Sequence, residues 1–317
     1  MGARGTGMEQ TPEQPPEPAD AISSSGPSRH AQKPVADRTA RLVRLITRGP
    51  AAIFLLIVGA AWLVPAVGLL VSSFRTSAAN ARSGWWTALA EPSQFTIANY
   101  QSLLEGSGML RALWNTVLIT VPVCILVVLI AAMAAYAFAW MRFPGRDGLF
   151  LLVVALLVVP LQVALIPIAD LYGRTGLFGT IPGVILFHTA FGLPFAIFLL
   201  RNFFIGIPRD LLEAARMDGA GEFLVFTRVV LPLGTPAIAS LLIFQFVWVW
   251  NDLLVALVFA RTSSAPLTVF VRDQLRQFGS NIDVIAPGAF LQMVIPLVVF
   301  FAFQRYFVQG LLAGSVK

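Results

Sequence analysis

The chain has 317 residues, 57% of them hydrophobic and only 12% charged, where soluble globular domains hold roughly 45–50% and about 25%. With a mean hydropathy of +0.79, this composition excludes an ordinary water-soluble domain and places the chain among polytopic membrane proteins. A net charge of +6 and a single cysteine exclude an intramolecular disulfide and a thiolate metal cluster, and make the placement of positive charge along the membrane the question to ask.

Residues 1–37 are rich in Pro, Glu, Ser, Gly and Gln. Such a segment cannot bury a core and is expected to be a disordered tail. It does not read as a signal peptide, because a long polar leader precedes the first apolar run and no small-residue cleavage site follows it. Residues 38–112 are expected to hold a basic anchor (Arg38, Arg41, Arg44, Arg48), the first transmembrane helix and an external loop carrying Trp85 and Trp86. Residues 113–308 are expected to hold five more spans, and 309–317 a cytoplasmic tail.

A bilayer core needs about 20 apolar residues as helix. Six runs meet that length: 51–74, 113–140, 148–168, 181–200, 233–260 and 284–308. Pro65, Pro160, Pro167, Pro194 and Pro296 punctuate them and mark kinks that neighbouring helices must satisfy. The alternation of a membrane barrel is missing, so the expected fold is all-α with six transmembrane helices. Cys124 lies inside a run and reads as a small core residue. With the N-terminus inside, fifteen Lys and Arg fall on the inner side and seven on the outer. This favours both termini in the cytoplasm. The tail supplies much of that excess, and the loop 141–147 with the juxtamembrane arginines decides the rest.

Between the fourth and fifth runs lies a polar stretch, EAARMDGAGEFLVFTRVVLPL, 213–233. Pro208 is well placed to open a helix over 209–218. Gly219 can take the left-handed conformation that ends it. A second short helix over 221–230 would put Phe223, Phe226 and Val230 on one face, and Pro232 would start the next span. Taken alone, this is an interfacial amphipathic hairpin or a docking element for a cytoplasmic partner. The adjacent alanines leave a smooth surface that such a partner could approach closely.

The stretch resembles the EAA loop of permease subunits of ATP-binding-cassette importers. Glu213, Ala214 and Ala215 are followed by Asp218 and Gly219, and the motif closes on Leu231 and Pro232; Val229 stands where the pattern usually has Ile. The segments NTVLITV, AAYAFAWMRFPGRD, VWVWNDLLVAL and QRYFVQGLLAGSVK are similar to the carbohydrate branch, the second permease of maltose-type importers. The resemblance runs from about residue 45 to the end. It implies a MetI-like permease fold with a cytoplasmic coupling helix, Glu213 pairing with a basic group on an ATPase and Gly219 supplying the turn. It further implies a sister permease, a cytoplasmic ATPase dimer that holds ATP and Mg, an extracytoplasmic solute-binding protein and a sugar substrate. It gives Gly310 and Gly314 a tail that contacts the ATPase.

No phosphate-binding loop, catalytic triad or metal-ligand set is present in the sequence. The chain is therefore expected to be non-catalytic, with no cofactor and no nucleic-acid partner. Polar residues within spans are costly and face the bundle interior. Asn251 and Asp252, late in the fifth run, either line the solute path with Trp250 as a stacking face or form a packing cluster. Gln162, Gln245 and Gln292 carry the same two readings, with packing favoured. His188 reads as a hydrogen-bonded core residue. Phe244, Phe246, Trp248 and Trp250 cover a wide arc and read mainly as packing or lipid-facing. A polyol or glycerol-phosphate ester is the alternative solute. A secondary transporter is the competing class; it predicts internal repeats and ion-coupling acids, and only Asp252 is available.

Overall fold

The computed structural model describes residues 36–105, 108–278 and 282–313; the expected tail lies almost wholly outside them, as does Gly314. Residues up to Gly59 and those from Ala60 onward form two separate compact units. Helix α1 (Ala36–Ser73) carries the first apolar run. After it come α2 (Ser77–Arg82), two 3₁₀ turns (Trp85–Leu89 and Pro92–Gln94) and α3 (Ala98–Glu105), which together make a polar cap.

Arg75 organises that cap. Its side chain is 1% exposed and no carboxylate contacts it among the described residues. The guanidinium is instead surrounded by neutral acceptors. Nε donates to Gln94 Oε1 at 2.9 Å, and Nη2 donates to the same oxygen at 2.7 Å. Further donors reach Asn80 Oδ1, Ala79 O, Ser83 O and Ser83 Oγ. Gln94 in turn donates to Glu91 Oε2 at 2.7 Å, so a negative charge stands one residue removed. A buried charge is tolerated only when its hydrogen-bonding capacity is met, and here the whole loop is wrapped to meet it. Asn99 adds a second fastener, donating to Ser73 O and Arg75 O. Trp85 lies over Gly68, where a Cβ would come within 2.7 Å of its Nε1, while Trp86 is exposed.

The centre of the second unit is the contact between α4 (Met109–Trp140) and α7 (Ile181–Ile205). On α4 the inward residues Ile119, Val123, Val127, Ala131 and Ala135 recur every fourth position and are buried. Their outward neighbours Val121, Ile125 and Leu129 are exposed, as lipid-facing residues are. The alanines let α7 approach closely, the usual device where no water drives helices together.

The third apolar run is not one helix. It breaks into α5 (Arg146–Leu156) and α6 (Leu161–Thr175), bent by 98°. Pro160 causes the break: it sits at ψ 128° in extended backbone and has no N–H to continue the ladder. Among the described residues five helices are long and apolar enough to span a membrane, or six if this bent pair counts as one span.

The polar stretch forms α8 (Arg209–Met217) and α9 (Glu222–Val225). The expected second short helix is not separate from the fifth span. After α9 the turn widens at Phe226–Val230, Leu231 N–H donating to Phe226 O, and runs straight on as α10 (Leu231–Trp250). Pro232 therefore lies within a continuous helical run rather than starting a span. The π-type turn before it absorbs the hydrogen bond that proline cannot make. The run also stops earlier than 260. It ends at Trp250, and a new short helix, α11 (Leu254–Phe259), follows. Asp252 causes this, its carboxylate accepting the free N–H groups of Val255 and Ala256. Finally come α12 (Leu267–Phe278) and α13 (Ile282–Ala313). Helix α13 continues past 308, so Gly310 is helical.

Candidate functional site

The hairpin at α8–α9 is anchored by few residues and exposes many. Leu212 is fully buried, with Ala215 partly buried three residues on; Val225, Phe226 and Val230 are buried in the second arm. Phe223 does not share their face as expected: it is 77% exposed, as is Met217 at 83%. The core side of the second arm is set by the adjacent Val225 and Phe226, which are buried, and the π-type turn after them brings Val230 onto the same side. Leu211, Ala214 and Asp218 are also exposed. Leu212→Ala should cost about 2–5 kcal/mol of local stability and make the hairpin the first site of limited proteolysis.

Gly219 takes φ +85°, which turns the chain between the two arms. Its N–H donates to Arg216 O, and the next N–H, of Ala220, to Ala215 O, both at 3.0 Å; the α8 carbonyls are thus closed off. Glu213 is half-exposed and its Oε1 accepts from Arg209 Nε at 2.7 Å, a helical i,i+4 pair that is worth little at a surface. Arg216 spans the turn to Glu222, Nε to Oε1 at 2.9 Å and Nη2 to Oε2 at 3.1 Å. That hydrogen bonding holds the Arg216 guanidinium above its ordinary value. Glu222 Oε2 also accepts from the Tyr136 hydroxyl of α4, a partnership the sequence reading missed. Two residues 86 apart carry no mutual signal in one sequence.

The path candidates do not come together. Gln245 lines a cavity of about 330 Å³ with Leu161, Phe191, Phe195, Phe244 and Trp248. Its Nε2 is buried without a partner and faces Gly192, where a Cβ would stand 2.9 Å away. Trp250 is elsewhere. It is 2% exposed, stacks on Phe246 and donates to Gln292 O, while Gln292 Nε2 donates back to Trp250 O. Both are fasteners of α10 to α13. Asn251 Nδ2 donates to Val247 O at the edge of a separate cavity. Asp252, besides capping α11, has Oδ2 3.5 Å from Nε2 of the buried His188 and lines a space of about 10 Å³ with Thr116 and Thr120. That is room for one water. Trp248 and Phe244, read from their spacing as packing or lipid-facing, are partly exposed and also line the Gln245 cavity. Only the packing of α10 on α7 distinguishes them from Phe246. Gln162 is exposed. Among the described residues no group of three or more His, Cys, Asp or Glu could hold a metal ion.

A further cavity of about 670 Å³ lies at the opposite end of α4 from the hairpin and is lined by Arg111, Asn115, Arg261, Arg272 and Asp273.

Residues 127–313 match the family described as binding-protein-dependent transport system inner membrane component. The chain is similar to the osmoprotective compounds uptake permease protein GgtD of Synechocystis sp., 49% identical over 84% of this chain and 92% of that one. It is also similar to the alpha-glucoside transport system permease protein AglG of Rhizobium meliloti, 48% identical over 78% of this chain and 67% of that one. A crystal structure of a bacterial ABC transporter involved in alginate import shares the fold, with a TM-score of 0.68 and 23% identity over 86% of this chain and 98% of its own. The chain therefore belongs to the binding-protein-dependent transport inner-membrane family, the non-catalytic multi-pass permease subunits of ATP-driven importers.

Proposed function

We propose that this permease moves a neutral polyhydroxy solute, a mono- or oligosaccharide, through the cavity at Gln245. The carrying observation is the lining of that cavity. Phe191, Phe195, Phe244 and Trp248 offer flat apolar faces, and Gln245 offers an amide whose Nε2 has no partner. None of the lining residues is ionisable. Aromatic faces suit the C–H surface of a pyranose, and an amide suits its hydroxyls. A phosphate ester would enter such a space without a cation to meet it, at a high desolvation cost. The volume falls at the lower end of the roughly 300–1,000 Å³ usual for small-molecule sites. The α-glucoside relative supports a sugar. The relative named for osmoprotective compounds leaves room for a second reading, a polyol in place of the sugar.

In this reading the hairpin lies in the cytoplasm with both termini. Glu213, Ala214, Ala215, Asp218, Gly219, Leu231 and Pro232 form the element that seats on the ATPase, whose dimer holds ATP and Mg. Glu213 exchanges Arg209 for a basic group of that partner. Exposed Met217 and Phe223 add apolar contact. A sister permease completes the membrane pair, and an extracytoplasmic binding protein delivers solute. The segment with Gly310 and Gly314 is assigned to the same cytoplasmic contact.

The test is uptake and ATP hydrolysis by the reconstituted assembly over a panel of sugars, polyols and phosphate esters. One neutral sugar or polyol should stimulate both. Trp248→Ala and Gln245→Ala should each lower uptake about tenfold, the loss of one good contact, with hydrolysis retained. Selective response to a phosphate ester would overturn the substrate assignment.

A further inference from the structure

We propose that α4 is the rod that carries movement of the coupling hairpin to the opposite mouth of the permease, held at its two ends by separate side-chain clamps. The proposal rests on the hairpin being the element that meets the ATPase.

The first clamp is Tyr136–Glu222–Arg216. Glu222 accepts at once from the Tyr136 hydroxyl on α4 and from the forked guanidinium of Arg216 on α8. Both arms of the hairpin are thereby referred to one carboxylate and one point on α4. The Tyr136 ring packs 5.2 Å from that of Phe226. One turn further on, Trp140 Nε1 donates to Phe204 O at 3.1 Å, which fixes the end of α4 to the end of α7. Bidentate pairing adds directional specificity, so this contact resists sliding as well as separation. The hairpin does not need it for attachment, because Leu212, Val225, Phe226 and Val230 are already buried. An ion pair this exposed adds little to stability. The clamp is built for register.

The second clamp is at the other end. Asn115 Nδ2 donates to Ser263 O and Ala265 O, both at 3.0 Å. Thr116 Oγ1 accepts from Leu267 N–H at 2.8 Å. Both side chains are buried. The loop they hold, 261–267, is also fastened to the start of α7 through Ser264 Oγ and Gly179 O. This loop forms part of the wall of the 670 Å³ cavity, which Arg111 and Asn115 of α4 itself also line. Between the clamps, from Thr116 to Tyr136, α4 is helical throughout, with Pro122 inside it, and spans about 30 Å at 1.5 Å per residue. Its buried face is packed against α7 along the way. A displacement at the hairpin is thus passed to the far wall by one continuous helix gripped at both ends. Such a link must bias two discrete arrangements to count as coupling, and transport per ATP is the quantity that reports it.

The experiment uses the complete reconstituted assembly, with uptake and ATP hydrolysis read in the same vesicles. Tyr136→Phe, Glu222→Gln and Asn115→Ala are compared with wild type. Each should keep the ATPase bound through purification and keep hydrolysis within about twofold, while transport per ATP falls about tenfold, within the ordinary range of coupling. Because the clamps act in series, Glu222→Gln with Asn115→Ala should be no worse than the more severe single change, rather than their product. If Asn115→Ala lowers the melting temperature of the assembly, Thr116→Val replaces it, since it keeps the shape of the side chain while removing the hydroxyl that accepts from Leu267 N–H and donates to Ala112 O. Unchanged transport per ATP in all variants, or multiplicative losses, would overturn the rod. Loss of the ATPase from the purified assembly would instead place these residues in assembly, and the rod would fall. An absence of any effect from hairpin substitutions at Gly219 would remove the docking reading beneath it.

Discussion

Gly219→Pro should reduce solute uptake by about 100-fold or more, the order of loss expected when an element is misplaced by an ångström, while leaving the subunit in the membrane. The reason is conformational. Gly219 stands at φ +85°, and the proline ring holds φ near −65°. Proline also removes the N–H that closes α8 on Arg216 O. Crowding is not the cause, because a Cβ at this position meets nothing within 4 Å. That separates two substitutions of different size and predicts their order. Gly219→Asn should keep most of the uptake, because asparagine tolerates the left-handed region. Gly219→Val should behave nearly as badly as proline. Glu213→Ala should fall between, since among the described residues it pairs with Arg209 alone; normal uptake in both Glu213→Ala and Gly219→Pro at normal expression would remove the coupling role. The measurement is uptake alongside recovery of the ATPase with the purified subunit.

Arg75→Ala should collapse the cap formed by residues 75–100. The substitution leaves Gln94 Oε1, Asn80 Oδ1 and the carbonyl of Ser83 without the guanidinium, while Ala79 O keeps the Ser83 N–H. Each buried acceptor left unpaired costs about 1–3 kcal/mol, so several kcal/mol of local stability are at stake. Arg75→Lys should fail almost as fully. An ammonium has three donors on a flexible stem and cannot reproduce the fork that reaches Gln94 and Ser83 together. The readout is limited proteolysis of the intact subunit in membranes. New cleavage within 76–98 is expected, with α4, α7 and α10 still protected. Wild-type protection in Arg75→Ala would show that the 3₁₀ turns and Asn99 hold the cap unaided. Arg75 attracts no notice in the sequence beyond a count of basic residues. Its importance lies in acceptors brought to it from Ala79 through Gln94.

The sequence and the structure agree where the physics is local. Apolar length alone locates the spans at α1, α4, α7 and α13 to within a few residues, because a helix in lipid must satisfy its own backbone. Proline before a charged turn, and glycine after it, locate α8 and the bend at Gly219 for the same reason: both depend on one residue's own φ. The family was legible in the spacing of Glu213, Gly219 and Pro232. Disagreement begins where two local signals compete. Pro160 and Pro194 both lie within apolar runs, yet Pro160 breaks its run by 98° while α7 continues through Pro194. Gly192, Ala196 and Leu200 pack α7 into the core around Pro194, and nothing comparable buries α5 at Leu156–Val159. Asp252 likewise reads as a late residue of a long span, but its carboxylate finds backbone N–H groups to cap and ends the helix at Trp250.

What the sequence determines by itself is therefore the class, the positions of most apolar runs, the polar hairpin and its turn, since each follows from composition or from a single residue's conformational limits. What only the tertiary structure decides is which polar and aromatic residues meet. Gln245 joins Trp248 rather than Trp250 because α10 lays one face on α7 and the other on α13. Tyr136 finds Glu222, and Asn115 finds Ser263, because α4 lies beside segments that are distant in the chain. Those pairings arise from packing between helices, and one sequence holds no local trace of them.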